Sequence, residues 1–264
     1  MTAFYEPAGE GRVRATPLTR GPWGSSQHGG PVAALLAGAV ERTLGRDDAM
    51  VARFSVELLR PVPVAELRID VDVPRPGKRV AWAVARLEAP NADGGPTEVA
   101  RAHAWVLRIA DAQAPATEAP PPAPPEEGTE TPFYPVEGEN FADGVEARFL
   151  HGGWTELGRA LAWFRLRVPV VAGEAPSAVQ RVLVAADCGN GISAEVDFAT
   201  HVYINPELTV ALHRLPRGEW VALDAQTSIG PGGVGLARSV LADRDGVVGA
   251  GSQSLLVDQR PPAG

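Results

Sequence analysis

Apolar positions fall along this chain in two rhythms. Between Val32 and Arg42 they recur at 32, 35, 36, 39 and 40, the three-to-four spacing of a helix, with charge only at the far end. Gln27-His28-Gly29-Gly30-Pro31 precedes this run, and paired glycines with a proline in the first turn mark a helix start. Gly38 weakens the helix by about 1 kcal/mol relative to alanine. After the helix the period drops to two. Ala52 to Pro61, Leu67 to Val73, Val80 to Glu88 and Glu98 to Arg108 alternate as strands, the last two joined by the turn-rich stretch from Pro90 to Pro96. Each strand keeps one apolar face to cover. The first half is therefore predicted to be a long helix on a curved antiparallel sheet, its four later strands in a meander.

The pattern breaks between Asp111 and Tyr134. Ala114 to Glu127 is rich in proline, cannot sustain a ladder or a helix, and reads as an extended, solvated linker in polyproline II. The rhythms then return. A strand pair fits Gly144 to Leu150 and Gly158 to Val168, a helix fits Pro176 to Asp187, and strands follow around 198–203, 208–214, 220–227, 234–243 and 247–257. The best internal match sets Ser55 to Pro61 against Thr209 to Leu215, each a strand ending in arginine, followed by a proline within two residues and another strand. The chain therefore divides into residues 1–110, a proline-rich connection over 111–135, and 136–264. Two copies of helix-plus-sheet predict an α+β protein whose sheets join edge to edge about a pseudo-twofold axis.

Composition narrows the function. A length of 264 residues suffices for two such domains. The net charge of −8, with scattered arginines, argues against a nucleic-acid surface. No apolar run approaches the roughly 20 residues of a membrane span. The N-terminus lacks the basic-then-apolar order of a signal peptide, and the one cysteine, Cys188, excludes an internal disulfide, as in a cytoplasmic protein. Histidines and carboxylates show no ligand spacing, so neither a metal nor another cofactor is expected. There is no Gly-x-Ser-x-Gly elbow, and Gly230 to Gly235 reads as a bulged hairpin rather than a phosphate loop.

The bare amides of Gly29 and Gly30, at the positive end of a helix dipole, suit a carbonyl oxygen gaining negative charge, and His28 beside them can bind the same group or shape the pocket. Asp187 and Asn190, at the end of the second helix, either line a cavity or make an ordinary helix-end turn.

With these residues in view, the chain resembles the acyl-CoA thioesterase II family, whose members are tandem, or double, hotdog proteins. The likeness rests on Gly29-Gly30, on Phe54 to Pro61, on Thr209 to Arg214 ending in His213-Arg214, on Thr227-Ser228 and on Gln253. It implies hydrolysis of acyl-CoA thioesters, with the acyl chain in a tunnel between helix and sheet. The implied site is an acid seven positions before Arg214, a threonine and a glutamine: Glu207, Thr227 (or Ser228 one register over) and Gln253. The family has aspartate where this chain has Glu207, and a misplacement of about 1 Å costs about a hundredfold in rate. In the internal match Arg53 stands against Glu207, implying one site per chain. Arg60, Arg214 or Arg238 would meet coenzyme A phosphates. The unit is a monomer or a homodimer of double hotdogs. The rival from another class is a catalytically silent acyl-binding or assembly protein. A hotdog hydratase fits poorly, since Asp197 to His201 is one residue short of its spacing.

Overall fold

The helix expected after His28 spans Gly29–Leu44 (α1); His28 caps its start, and Gly45 ends it in the left-handed region at φ 56°. The computed structural model describes residues 3–91, 93–117, 119–131 and 138–260. Before α1 lie β1 (Tyr5–Pro7) and β2 (Arg12–Ala15), and after it β3 (Ala49–Leu58), β4 (Glu66–Arg75), β5 (Val80–Pro90) and β6 (Pro96–Arg108). The second half holds β7 (Thr129–Glu130), β8 (Val145–His151), β9 (Ala160–Leu166), α2 (Ala178–Ala186) and a short helical turn, α3 (Gly189–Ile192). It ends with β10 (His201–Ile204), β11 (Glu207–Leu212), β12 (Val221–Ile229), β13 (Val234–Asp243) and β14 (Gly246–Gln259). Among the described residues no helix is long and apolar enough to cross a membrane.

All these strands join one antiparallel sheet in the order β1-β2-β4-β5-β6-β3-β11-β14-β13-β12-β9-β8-β7, with β10 beside β14. The order reads alike outward from the β3–β11 seam. From the seam outward β3, β6, β5 and β4 are mirrored by β11, β14, β13 and β12, and the short β10, which precedes β11, stands off this path beside β14. The first half is therefore not a simple meander. β4, β5 and β6 are consecutive neighbours, but β3 lies beyond β6, because the other edge of β4 is taken by β2. That placement leaves β3 free to pair with β11. The two strands that match in sequence are the two that meet, and the aligned residues Ser55 and Thr209 face each other, with Thr209 Oγ1 3.0 Å from Ser55 Oγ.

Both helices pack on one face of the sheet and against each other. Gly30, Ala34 and Gly38, four residues apart on α1, form the face toward α2. A Cβ on Gly38 would lie 2.4 Å from Gln180 Nε2, the atom that donates to the Ala34 carbonyl at 3.1 Å. The glycine that weakens α1 in isolation is thus what lets α2 approach. α2 is shorter than α1, and Ser177 and Gln180 close its start in a reciprocal capping box.

The proline-rich segment departs in part from expectation. Its described residues from Asp111 to Pro121 are exposed and without helix or strand, as expected, but from Ala119 onward it is laid against the second half. The Ala119 carbonyl accepts from Val247 N (3.2 Å), the Ala123 carbonyl from Trp163 Nε1 (2.8 Å), Pro125 is buried in a 3-10 turn, and Thr129–Glu130 pairs with β8. Prolines lose a donor but keep their carbonyls, and Thr129 and Glu130 supply what the ladder needs.

Candidate active site

α2 ends in five small or aliphatic residues, Val182 to Ala186, and then in Asp187. A carboxylate is disfavoured at the negative end of a helix dipole, and Asp187 is also 5% exposed. Its partners supply the compensation. Oδ2 is 2.8 Å from His28 Nδ1, and Oδ1 accepts from Asn205 Nδ2 at 2.9 Å and Gln253 Nε2 at 3.3 Å. Burial pushes the carboxyl up, but the His28 ring, Asn205 and the Gly30 amide outweigh it and hold the group below the usual aspartate range. Gly29 makes the approach possible, because a Cβ there would lie 2.8 Å from Oδ2.

His28 Nδ1 is also 3.1 Å from Gly30 N. One nitrogen cannot donate to the carboxylate and accept from the amide. The buried carboxylate has the stronger demand, so the proton sits on Nδ1 and is donated to Asp187, with the Gly30 amide directed at the same carboxylate. The ring lies flat on Phe141, with centroids 3.9 Å apart and planes 5° from parallel. No hydrogen bond from a described residue reaches Nε2. His28, Gly29, Asp187, Asn190 and Asn205 line one groove of about 390 Å³, with Trp23, Leu58 and Trp154 among its apolar walls.

Thr227 and Gln253 both stand opposite Ala237 on β13, so they share the helix-facing side of the sheet, where they are 4% and 1% exposed. Gln253 joins the carboxylate's support. Its Oε1 accepts from Asn190 N (3.0 Å), and its Nε2 donates to the Asp187 carbonyl (3.2 Å) as well as to Oδ1. Thr227 Oγ1 bonds Ser193 Oγ (2.8 Å), which donates to the Gly189 carbonyl (2.8 Å), so Thr227 holds α3 from below. Ser228 lies on the opposite face. Neither Thr227 nor Gln253 is part of the groove lining.

Glu207 requires correction. Leu208, one residue on, is buried on the side that carries Gln253, so the Glu207 side chain lies on the outer face. Pairing with β14 slips by one residue between Ile204–Leu256 and Thr209–Ser252, at Pro206, which has no N–H. Glu207 Oε1 accepts from Ser254 N at 2.6 Å, at this irregularity. It caps a ladder amide and makes no hydrogen bond with Thr227 or Gln253. The Gly30 amide is likewise engaged with the Asp187–His28 pair. The Gly29 amide, at the groove, bonds no described residue. Of the three arginines, Arg214 is clamped on Asp243 at 2.6 Å through two nitrogens, Arg238 lies on the outer face, and Arg60 is at the groove without an ion pair among the described residues. No group of three or more His, Cys, Asp or Glu suited to a metal occurs among the described residues.

Comparison with known proteins gives this geometry a family. The model of an acyl-CoA thioesterase N-terminal domain matches residues 17–107, and that of an acyl-CoA thioesterase C-terminal domain matches 114–257. The chain belongs to the acyl-CoA thioesterase family. It is a thioesterase acting on acyl-CoA thioesters. No curated protein matches it. Similar solved structures include a proposed thioesterase from Novosphingobium aromaticivorans, with TM-score 0.74 and 20% identity over 97% of this chain and 99% of that one. Acyl-CoA thioesterase II TesB2 from Mycobacterium marinum gives 0.69 and 17% over 98% and 97%. A conserved protein with a hot dog fold from Alicyclobacillus acidocaldarius gives 0.70 and 15% over 96% and 93%. At these identities the likeness is one of fold, and the hotdog fold is shared.

Counting back from Arg214 lands on Glu207, which the strand register turns to the outer face, away from the groove. One signal for Asp187 was legible. An acid placed directly after an apolar helix end is electrostatically out of place unless something holds it.

Proposed function

We propose that this thioesterase is a tandem hotdog, residues 1–110 and 136–264, and that it cleaves acyl-CoA at the groove where α1 begins and α2 ends. The general base is His28 Nε2, and Asp187 is the residue that holds its tautomer. Asp187 spends both oxygens on hydrogen bonds, which makes it a weak acceptor for a further proton, while the ring it orients keeps one nitrogen free. Water attacks the thioester carbonyl carbon as its proton passes to Nε2. The carbonyl electrons move to oxygen, where the Gly29 amide and the dipole of α1 stabilise the charge. Collapse breaks the carbon–sulfur bond, and the proton on Nε2 leaves with the sulfur as free thiol. Gln253 and Asn205 fix the carboxylate, and Thr227 fixes α3 beneath Asn190. Arg60 meets a coenzyme A phosphate at the mouth. The two halves complete the sheet within one chain, so a monomer suffices, and the lone cysteine fits a cytoplasmic setting.

The observation that carries this reading is the 2.8 Å contact between His28 Nδ1 and a buried, charge-retaining Asp187 at the groove wall. Thiol release from acyl-CoA substrates, measured for wild type, His28→Gln and Asp187→Asn, tests it. Both variants are expected to lose kcat by a factor on the order of 100 or more with KM little changed. Wild-type kcat in His28→Gln beside an inactive Asp187→Asn would make the carboxylate itself the base. A protein releasing no thiol from any acyl-CoA would favour an acyl-binding role.

A further inference from the structure

The groove has two unlike ends. At its mouth Leu59 and Ile204 are 50% and 39% exposed, and Arg60 stands beside them. Coenzyme A is large and polyanionic, so it has to occupy this end. Past Asp187 and Cys188 the other end runs to Gly191 and Trp154, and Trp154 is 4% exposed. Its indole is fixed: Nε1 donates to the Thr131 carbonyl at 3.2 Å, and the ring meets Phe149 and Phe164 edge-on at 5.4 and 6.0 Å. A wall tied at that many points does not swing aside for a longer ligand.

Gly191 closes this end of the groove side by side with Trp154. A Cβ there would meet only Trp154 Cζ3, at 3.9 Å, and its φ lies outside the left-handed region, so the backbone does not demand glycine. Gly189, two residues earlier, differs, since its Cβ would press on Gln253 Oε1 at 2.8 Å. The groove also fails to continue beneath the helix. His28 and Gly29 border it, while Val32, Ala33, Leu35 and Leu36 are fully buried in the core. The expected tunnel between helix and sheet is filled by side chains. About 390 Å³ is near the low end of the roughly 300–1,000 Å³ typical of ligand sites, and the inner arm of coenzyme A shares it.

We infer that the acyl group ends against the wall that Gly191 and Trp154 form together and is compact, a short aliphatic chain or a single aromatic ring, with these two residues setting its size limit. The inference rests on the groove being the thioester site. It is tested by kcat/KM for acetyl-, butyryl-, hexanoyl-, decanoyl-, palmitoyl- and benzoyl-CoA with wild type, Trp154→Ala and Gly191→Leu. Calorimetric binding of the matching S-alkyl-CoA thioethers to the same proteins needs no turnover. Wild type is expected to favour hexanoyl over palmitoyl by about tenfold or more. Gly191→Leu should lower the hexanoyl-to-acetyl ratio about tenfold, and Trp154→Ala should raise the decanoyl-to-butyryl ratio. Preference for palmitoyl in wild type, or a length profile unchanged in Gly191→Leu, overturns the proposal. Should no thioester be cleaved, the hydrolytic reading fails separately, and the thioethers still decide the wall: palmitoyl-length binding equal to or tighter than hexanoyl, or no binding at all, overturns it.

Discussion

A carboxylate buried at the negative end of a helix keeps its charge only while its partners stay in place. Asp187→Asn leaves the shape but removes the acceptor that sets the His28 tautomer, and it is expected to cost kcat a factor on the order of 100 to 10,000. Gln253→Ala acts one step further out, because Gln253 holds Asp187 and Asn190 without lining the groove. Its loss should be smaller, about tenfold, and rescued in part by Gln253→Asn; kcat measurements on the three proteins check the ranking. Glu207→Ala should behave oppositely. It removes a cap from Ser254 N on the exposed outer face, so thiol release should stay near wild type while stability falls by about 1 kcal/mol. A collapse of kcat in Glu207→Ala would restore it to the chemistry. The family resemblance singled out Glu207, Thr227 and Gln253, and two of the three lie on the helix-facing side. Glu207 lies on the other face, because a face is decided by pairing register, and the slip near Pro206 leaves no trace in a count of positions.

Elements were more legible than residues, for a physical reason. The period of apolar positions is a local property, so the helix beginning at Gly29 and the strands after it follow directly from sequence. Sheet order is not local. β3 lies beside β6 because β2 occupies the edge of β4, and that exchange involves residues about fifty positions apart. The meaning of Gly38 is also tertiary. As a helix residue it is a small loss, and against α2 it is a requirement. Gly38→Val would drive a side chain into Gln180, break its bond to the Ala34 carbonyl and part the helices, at an expected 2–4 kcal/mol. Gly232→Ala is the control, since its Cβ meets nothing within 4 Å and its φ is unexceptional. Urea midpoints should fall sharply for the first and hardly move for the second; equal midpoints would deny the glycine its packing role.

At the scale of the molecule, the two helices are joined by two acid-to-cap contacts that cross between the halves. Asp187 of α2 meets His28, the cap of α1, and Glu41 of α1 accepts from Ser177 Oγ, the cap of α2, at 2.6 Å. The contacts resemble each other in place and differ in electrostatics. Asp187 is held below the ordinary aspartate range by its partners. Burial raises Glu41, and the Ser177 bond with the Arg42 and Arg181 charges only partly offsets it. The signs follow from linkage. A depressed carboxyl adds stability above its unfolded pKa and loses it as pH falls through the folded value. A raised carboxyl adds stability below its unfolded pKa and loses it as pH climbs through the folded value. Acidification should therefore weaken the Asp187 contact while relieving Glu41. Glu41→Gln keeps an acceptor for Ser177 and cannot ionise, so it should stabilise the protein at neutral pH and match wild type near pH 4. Urea titrations of both proteins across that range provide the check. An offset of the same size at both ends would mean that the substitution acts through packing and that Glu41 carries no ionisation penalty in the fold.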